Sequence, residues 1–119
     1  MSAKLFGLAL IALQGVETGS GGWVVAHPKG GGELRFIPLV AENEDYPKNA
    51  KRQGLEGRTV LRMLISLEVQ INECNIEKSS GNDDLDQRSC DLYRRKGRFQ
   101  LSGRTTPLVV YAPVVWRLE

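Results

Sequence analysis

From Tyr46 to Glu119 the sequence predicts an α+β domain with the order helix–strand–strand–helix–strand, a small antiparallel sheet packed by two helices. Three observations predict it. Apolar residues alternate with period two from Arg58 to Leu67. Helix-capping chemistry brackets residues 82–97, and a β-branched, proline-interrupted run closes the chain at Leu108–Leu118. A chain of 119 residues has room for one modest core.

The N-terminus comes first. After the charged tip MSAK, an apolar run extends from Leu5 to Leu13, too short to span a membrane. A charged tip and a short apolar run match the first two regions of a secretory signal peptide, expected here over 1–20. Thr18-Gly19-Ser20 would supply small residues for cleavage before Gly21. The competing reading is a buried N-terminal strand or helix of the domain itself. Residues 21–45 then form a Gly-rich, extended region with linker chemistry. It contains an apolar island, Trp23–Ala26, and Glu33–Val40, which has the make-up of an extra strand ended by Pro38.

Pro47 just inside a helix start and Gly54 just past its end define a short helix over Pro47–Gln53. Lys51 and Arg52 in its last turn answer the helix dipole and need no ligand. In the strand that follows, Leu61, Met63, Ile65 and Leu67 share one face. Val60 and Leu64 give the other face apolar weight, so partial cover on both sides is expected. Gln70–Glu77 is a second strand, making a hairpin that turns near Glu68-Val69. Ile71 and Cys74 are out of phase, which predicts a bulge between them.

Asn82 or Asp83 can cap the second helix, with Asp83, Asp84 and Asp86 at its positive end. Leu85, Ser89, Leu92 and Tyr93 fall on one face, with Cys90 beside it. Arg94, Arg95 and Lys96 close the helix, and Gly97 stops it. The final strand carries Pro107 and Pro113, and proline within a sheet belongs on an edge or at a bulge. An edge strand bent near Pro113 is therefore expected.

Function classes narrow quickly. A net charge of +2 without a basic stripe or interleaved aromatics argues against nucleic acid. His27 is the sole histidine and lies in a Gly-rich stretch, so neither a metal set nor a base beside a nucleophile is expected, and no cofactor. Cys74 and Cys90 read as one disulfide if the chain is exported, and as two small buried hydrophobes if it is cytosolic.

The run YPKNAKRQGLEGRTVLRMLI resembles the opening of the C-terminal domain of TonB-family energy transducers, where Tyr-Pro starts a short helix and a glycine pair (Gly54 and Gly57) leads into the first strand. IEKSSGNDDLDQRSC is similar to the family's second strand, Ser-Ser-Gly loop and second helix; RRKGRF and YAPVVWRL are similar to that helix's end and to the last strand. The resemblance covers residues 46–119. The chain departs from it at Glu68-Val69, where the family turns on Asp-Gly, and at Gln100, where a proline commonly follows the Arg-Phe. It also has only five prolines, where typical members carry a membrane anchor and a long Pro-rich spacer.

The resemblance implies a periplasmic, non-enzymatic domain, with inner-membrane association in its typical members. Such a domain captures a segment of an outer-membrane TonB-dependent receptor beside its last strand. It couples proton-motive energy from an inner-membrane ExbB/ExbD-type motor to uptake of siderophores or similar cargo. An exposed edge offers unpaired N–H and C=O groups for strand addition. The partner-binding candidates are therefore Val109, Val110, Tyr111, Val114, Val115 and Trp116, at least half of which must pack the core because strand faces alternate. A homodimer is a further expected partner. The rival readings are a non-transducing periplasmic assembly module and, third, a binding domain of an envelope-stress or peptidase system.

Overall fold

A computed structural model of the chain describes residues 17–18 and 22–118. The apolar run expected to belong to a signal peptide lies outside the described residues. The chain is α+β, as its sequence predicts, but the described residues form two four-stranded sheets rather than one small one. The first has the order β1-β2-β3-β7 and is antiparallel: Glu17–Thr18, Val24–Ala26, Glu33–Phe36 and Phe99–Ser102. The second has the order β4-β8-β5-β6: Leu39–Ala41, Leu108–Trp116, Gly57–Ile65 and Ile71–Lys78. It is mixed, because β4 runs parallel to β8 while β5 is antiparallel to both neighbours. A 3-10 turn at Asn43–Asp45, helix α1 (Lys48–Arg52) and helix α2 (Asp83–Lys96) complete the fold.

The stretch from Val24 to Ala41 contributes three short strands, two to the first sheet and one to the second. Their alternation in Glu33–Phe36 buries Leu34 and Phe36 completely, and Pro38 separates the two short strands β3 and β4. Two residues of the expected signal peptide, Glu17 and Thr18, pair with Val25 and Val24.

Helix α1 is one residue shorter at each end than Pro47–Gln53, with Pro47 as N-cap and Gln53 as C-cap. Gly54 follows at φ 67, the left-handed position that suits glycine after a helix. Gly57 serves close approach instead: a Cβ there would lie 3.0 Å from the Ser80 carbonyl oxygen. Helix α2 spans the expected residues, with the Asn82 side chain accepting from the Leu85 N–H at 3.1 Å. Leu85, Ser89, Leu92 and Tyr93 are all buried.

The first turn of α2 is locked to the β5–β6 hairpin through Asp86. Its buried carboxylate accepts from Thr59 Oγ1 at 2.9 Å, Ser80 N–H at 2.9 Å, Ser80 Oγ at 2.7 Å, and the Ser79 hydroxyl. Burial alone would push its pKa up; the donors from Ser79, Ser80 and Thr59 outweigh that and hold it below the usual range. The Ser-Ser-Gly loop is therefore a carboxylate cage. Cys74 on β6 and Cys90 on α2 are bonded across the same interface, with Cα atoms 6.0 Å apart.

Strand β5 buries Leu61, Met63 and Ile65, while Leu67 lies in the turn and is 42% exposed. In β6, Leu64 pairs with Glu73 and Ile65 with Ile71, so Asn72 is the extra residue of a bulge between Ile71 and Cys74. The turn closes through Val69 N–H to Ser66 O and Ser66 N–H to Gln70 O, both 2.9 Å. Val69 itself sits at φ 63. That position ordinarily takes glycine.

Candidate functional site

Strand β8 carries every sequence-predicted contact residue, and its pairing decides what each can do. Along its whole length it pairs with β5, from Leu108↔Ile65 to Trp116↔Gly57, without a register shift. The even-numbered residues face the core under α2: Val110, Val114 and Trp116 are at most 1% exposed. Trp116 donates from Nε1 to Ser89 Oγ at 2.9 Å and meets Tyr46 edge-on at 5.1 Å. These three side chains are core, not contacts. Val109, Tyr111 and Val115 lie on the opposite face and are half-buried.

Proline fixes where the backbone groups point. Pro113 has no N–H, so its pairing with Val60 is of the non-hydrogen-bonded kind. Antiparallel pairs alternate, so Leu108, Val110, Ala112, Val114 and Trp116 bond to β5. Val109, Tyr111, Pro113 and Val115 turn their backbone groups toward the other side of the strand. The edge expectation is half corrected there. Strand β4 lies beside Val114–Trp116 in parallel, with Leu39↔Val114, Val40↔Val115 and Ala41↔Trp116, so this part of β8 is internal to the sheet. Proline is tolerated because its missing donor falls on the side away from β5.

Tyr93 ends that ladder. Its hydroxyl, on the last turns of α2, donates to the Pro113 carbonyl at 2.8 Å and accepts from Leu39 N–H at 3.2 Å. It therefore stands where Leu39 and Pro113 would otherwise bond each other. Burial pushes the phenol far above its ordinary pKa, so it stays protonated and able to donate. Beyond this point β4 gives way to Pro38, and β3 departs into the other sheet to pair with β7. Among the described residues, no strand pairs with the N-terminal half of β8 on this side, which leaves the backbone groups of Val109 and Tyr111 open.

Helix α2 also fixes the other end of β4. Lys96 Nζ lies 2.8 Å from Asp45 Oδ1, and Glu42 N–H donates to Asp45 Oδ2 at 2.8 Å. Burial of Asp45 opposes its charge, but Lys96 and the Glu42 amide prevail and hold its carboxyl below the usual range. One helix end thus holds β4 from both sides, through Tyr93 at Leu39 and Lys96 at Asp45. Tyr93 was foreseen only as a core residue; its hydroxyl's role follows from β4, whose three residues carry too little pattern to be read in advance.

The molecule is an α+β domain in which β4 covers the C-terminal half of β8 and no described strand pairs with the N-terminal half on that side. The sequence model described as Gram-negative bacterial TonB protein C-terminal matches residues 42–118. The chain belongs to the TonB C-terminal family, a transport-associated, non-enzymatic family whose domains are periplasmic and interact with outer-membrane receptors. The curated proteins and the solved structures give no match. No helix among the described residues is long and apolar enough to cross a membrane.

Proposed function

We propose that the domain captures an extended periplasmic segment of an outer-membrane receptor by strand addition along β8, and passes mechanical load to it through backbone hydrogen bonds. One observation carries the reading: Val109 and Tyr111 present N–H and C=O groups on a strand whose other side is fully paired to β5. A rigid strand with free polar groups is pre-organised for such addition and loses little entropy on binding. Coupled to an inner-membrane motor, the domain would drive cargo uptake. A second reading, a periplasmic assembly module without a motor, draws support from β4, which already fills the C-terminal half of the edge.

A matched pair of prolines tests the proposal. Val109→Pro removes an outward N–H and should cost little stability, yet abolish binding of a synthetic peptide from the receptor's N-terminal periplasmic segment. Val110→Pro removes an inward N–H and should cost on the order of 3 kcal/mol of stability, while its folded fraction still binds. Calorimetry with a melting curve on each variant reads both. Undiminished binding by Val109→Pro would rule out addition at this edge.

A further inference from the structure

We infer that β4 is a removable stand-in for a docked strand, so that the complete β8 edge opens when Leu39–Ala41 leaves it. This rests on the reading that β8 is the docking strand. Three observations carry it. First, β4 ends at Ala41, and the family's sequence model begins at residue 42. The strap is therefore contributed by the chain just ahead of the domain that defines the family. Second, β4 is held lightly. By alternation, only Val115 among its β8 neighbours points both polar groups at it, donating N–H to Leu39 O and accepting from Ala41 N–H. Val40 turns its own polar groups outward and leaves its side chain 45% exposed. Third, both ends are fastened by contacts that another segment could supply: an amide to the Tyr93 hydroxyl, and a carboxylate to Lys96.

The seat also specifies what replaces the strap. The incoming strand runs parallel to β8, as β4 does. It places an apolar side chain where Leu39 packs on the core, and a small one where Ala41 is 2% exposed and pairs with Trp116. The residue between them is unconstrained, since Val40 faces outward. An acidic side chain shortly afterwards meets Lys96, as Asp45 does. A partner segment of the form apolar–any–small followed by an acid is the class that fits. Because closed β4 occupies the seat, apparent affinity falls by the fraction of molecules in which it is open.

The probe is a labelled synthetic peptide of the chain's own residues 36–46. Ala41→Pro removes the amide that bonds Val115 and should raise affinity for this peptide by about tenfold or more, as expected for removing a competing closed state. Val40→Pro removes an outward amide and should leave affinity at the wild-type value. A peptide with tryptophan at the position of Ala41 should not bind. Equal affinity of wild type and Ala41→Pro would overturn the inference. Amide exchange on the unaltered chain covers the case in which Ala41→Pro fails to fold. There, Ala41 and Val115 amides should exchange faster than that of Val110, and equal protection of all three would likewise overturn it. A receptor-segment peptide separates the two claims: equal binding to wild type and Ala41→Pro removes the strap but leaves docking at the open half of β8. If Ala41→Pro captures the chain's own peptide while no receptor segment binds either form, the strap stands and receptor docking falls.

Discussion

Val69 is the clearest conflict between a residue and its place. A β-branched side chain at φ 63 brings Cβ against the following carbonyl, at a cost of roughly 1–2 kcal/mol. The residue lines a cavity of about 370 Å³ with Gln70, Ile71, Tyr93, Arg94, Gly97 and Phe99, and its side chain is half-buried there. Val69→Gly relieves the backbone and gives up the side chain's partial burial, while also freeing the unfolded chain. The net gain should be about 1 kcal/mol, seen as a melting temperature raised by about 4 °C in a thermal scan. A drop instead would show that the side chain's packing outweighs its strain. The sequence shows Glu68-Val69 where the resembling family turns on Asp-Gly; the structure keeps the hairpin and bends Val69 to the left-handed position.

Among the elements, the long ones were legible and the short ones were not. The period of β5, the caps and buried face of α2, and the bulge in β6 each rest on a pattern repeated over several residues. Strands β2, β4 and β7 have three or four residues each, too few for a period to declare itself. Missing β4 is what misplaced the edge, because the prolines of β8 were read correctly as demanding an unpaired donor but the neighbour beyond Pro113 could not be foreseen. Within the site, the same gap sorts the candidates: Val110, Val114 and Trp116 pack the core, Val115 holds β4, and Val109 and Tyr111 keep open backbone groups. The bond between Cys74 and Cys90 belongs to this scale too, since it fastens the edge strand β6 to α2. We propose that it forms in the exported protein. Closing a loop of about 15 residues stabilises by ~3 kcal/mol in the entropic model. Reduction should therefore lower the denaturation midpoint, and protein taken from the cell without reductant should show no free thiol by mass spectrometry; two free thiols would contradict both the bridge and its oxidising compartment.

At the scale of the molecule, one helix organises everything the proposal needs. The start of α2 is caged by the hairpin through Asp86, its middle carries Cys90, and its end sets Tyr93 and Lys96 against β4. The Tyr93 ring also lies 5.9 Å from that of Phe99, which stacks on Phe36 at 6.0 Å, and this ties α2 to the first sheet. Load applied to β8 would pass through its antiparallel pairing with β5 into this braced core. The most direct test of that arrangement is amide hydrogen exchange, residue by residue, with and without a receptor-segment peptide. The account predicts that the amides of Val109 and Tyr111 exchange quickly in the free protein and become protected in the complex, while those of Val110 and Ala112 are protected throughout. Slow exchange at Val109 and Tyr111 without peptide, or no gain in protection with bound peptide, would contradict it.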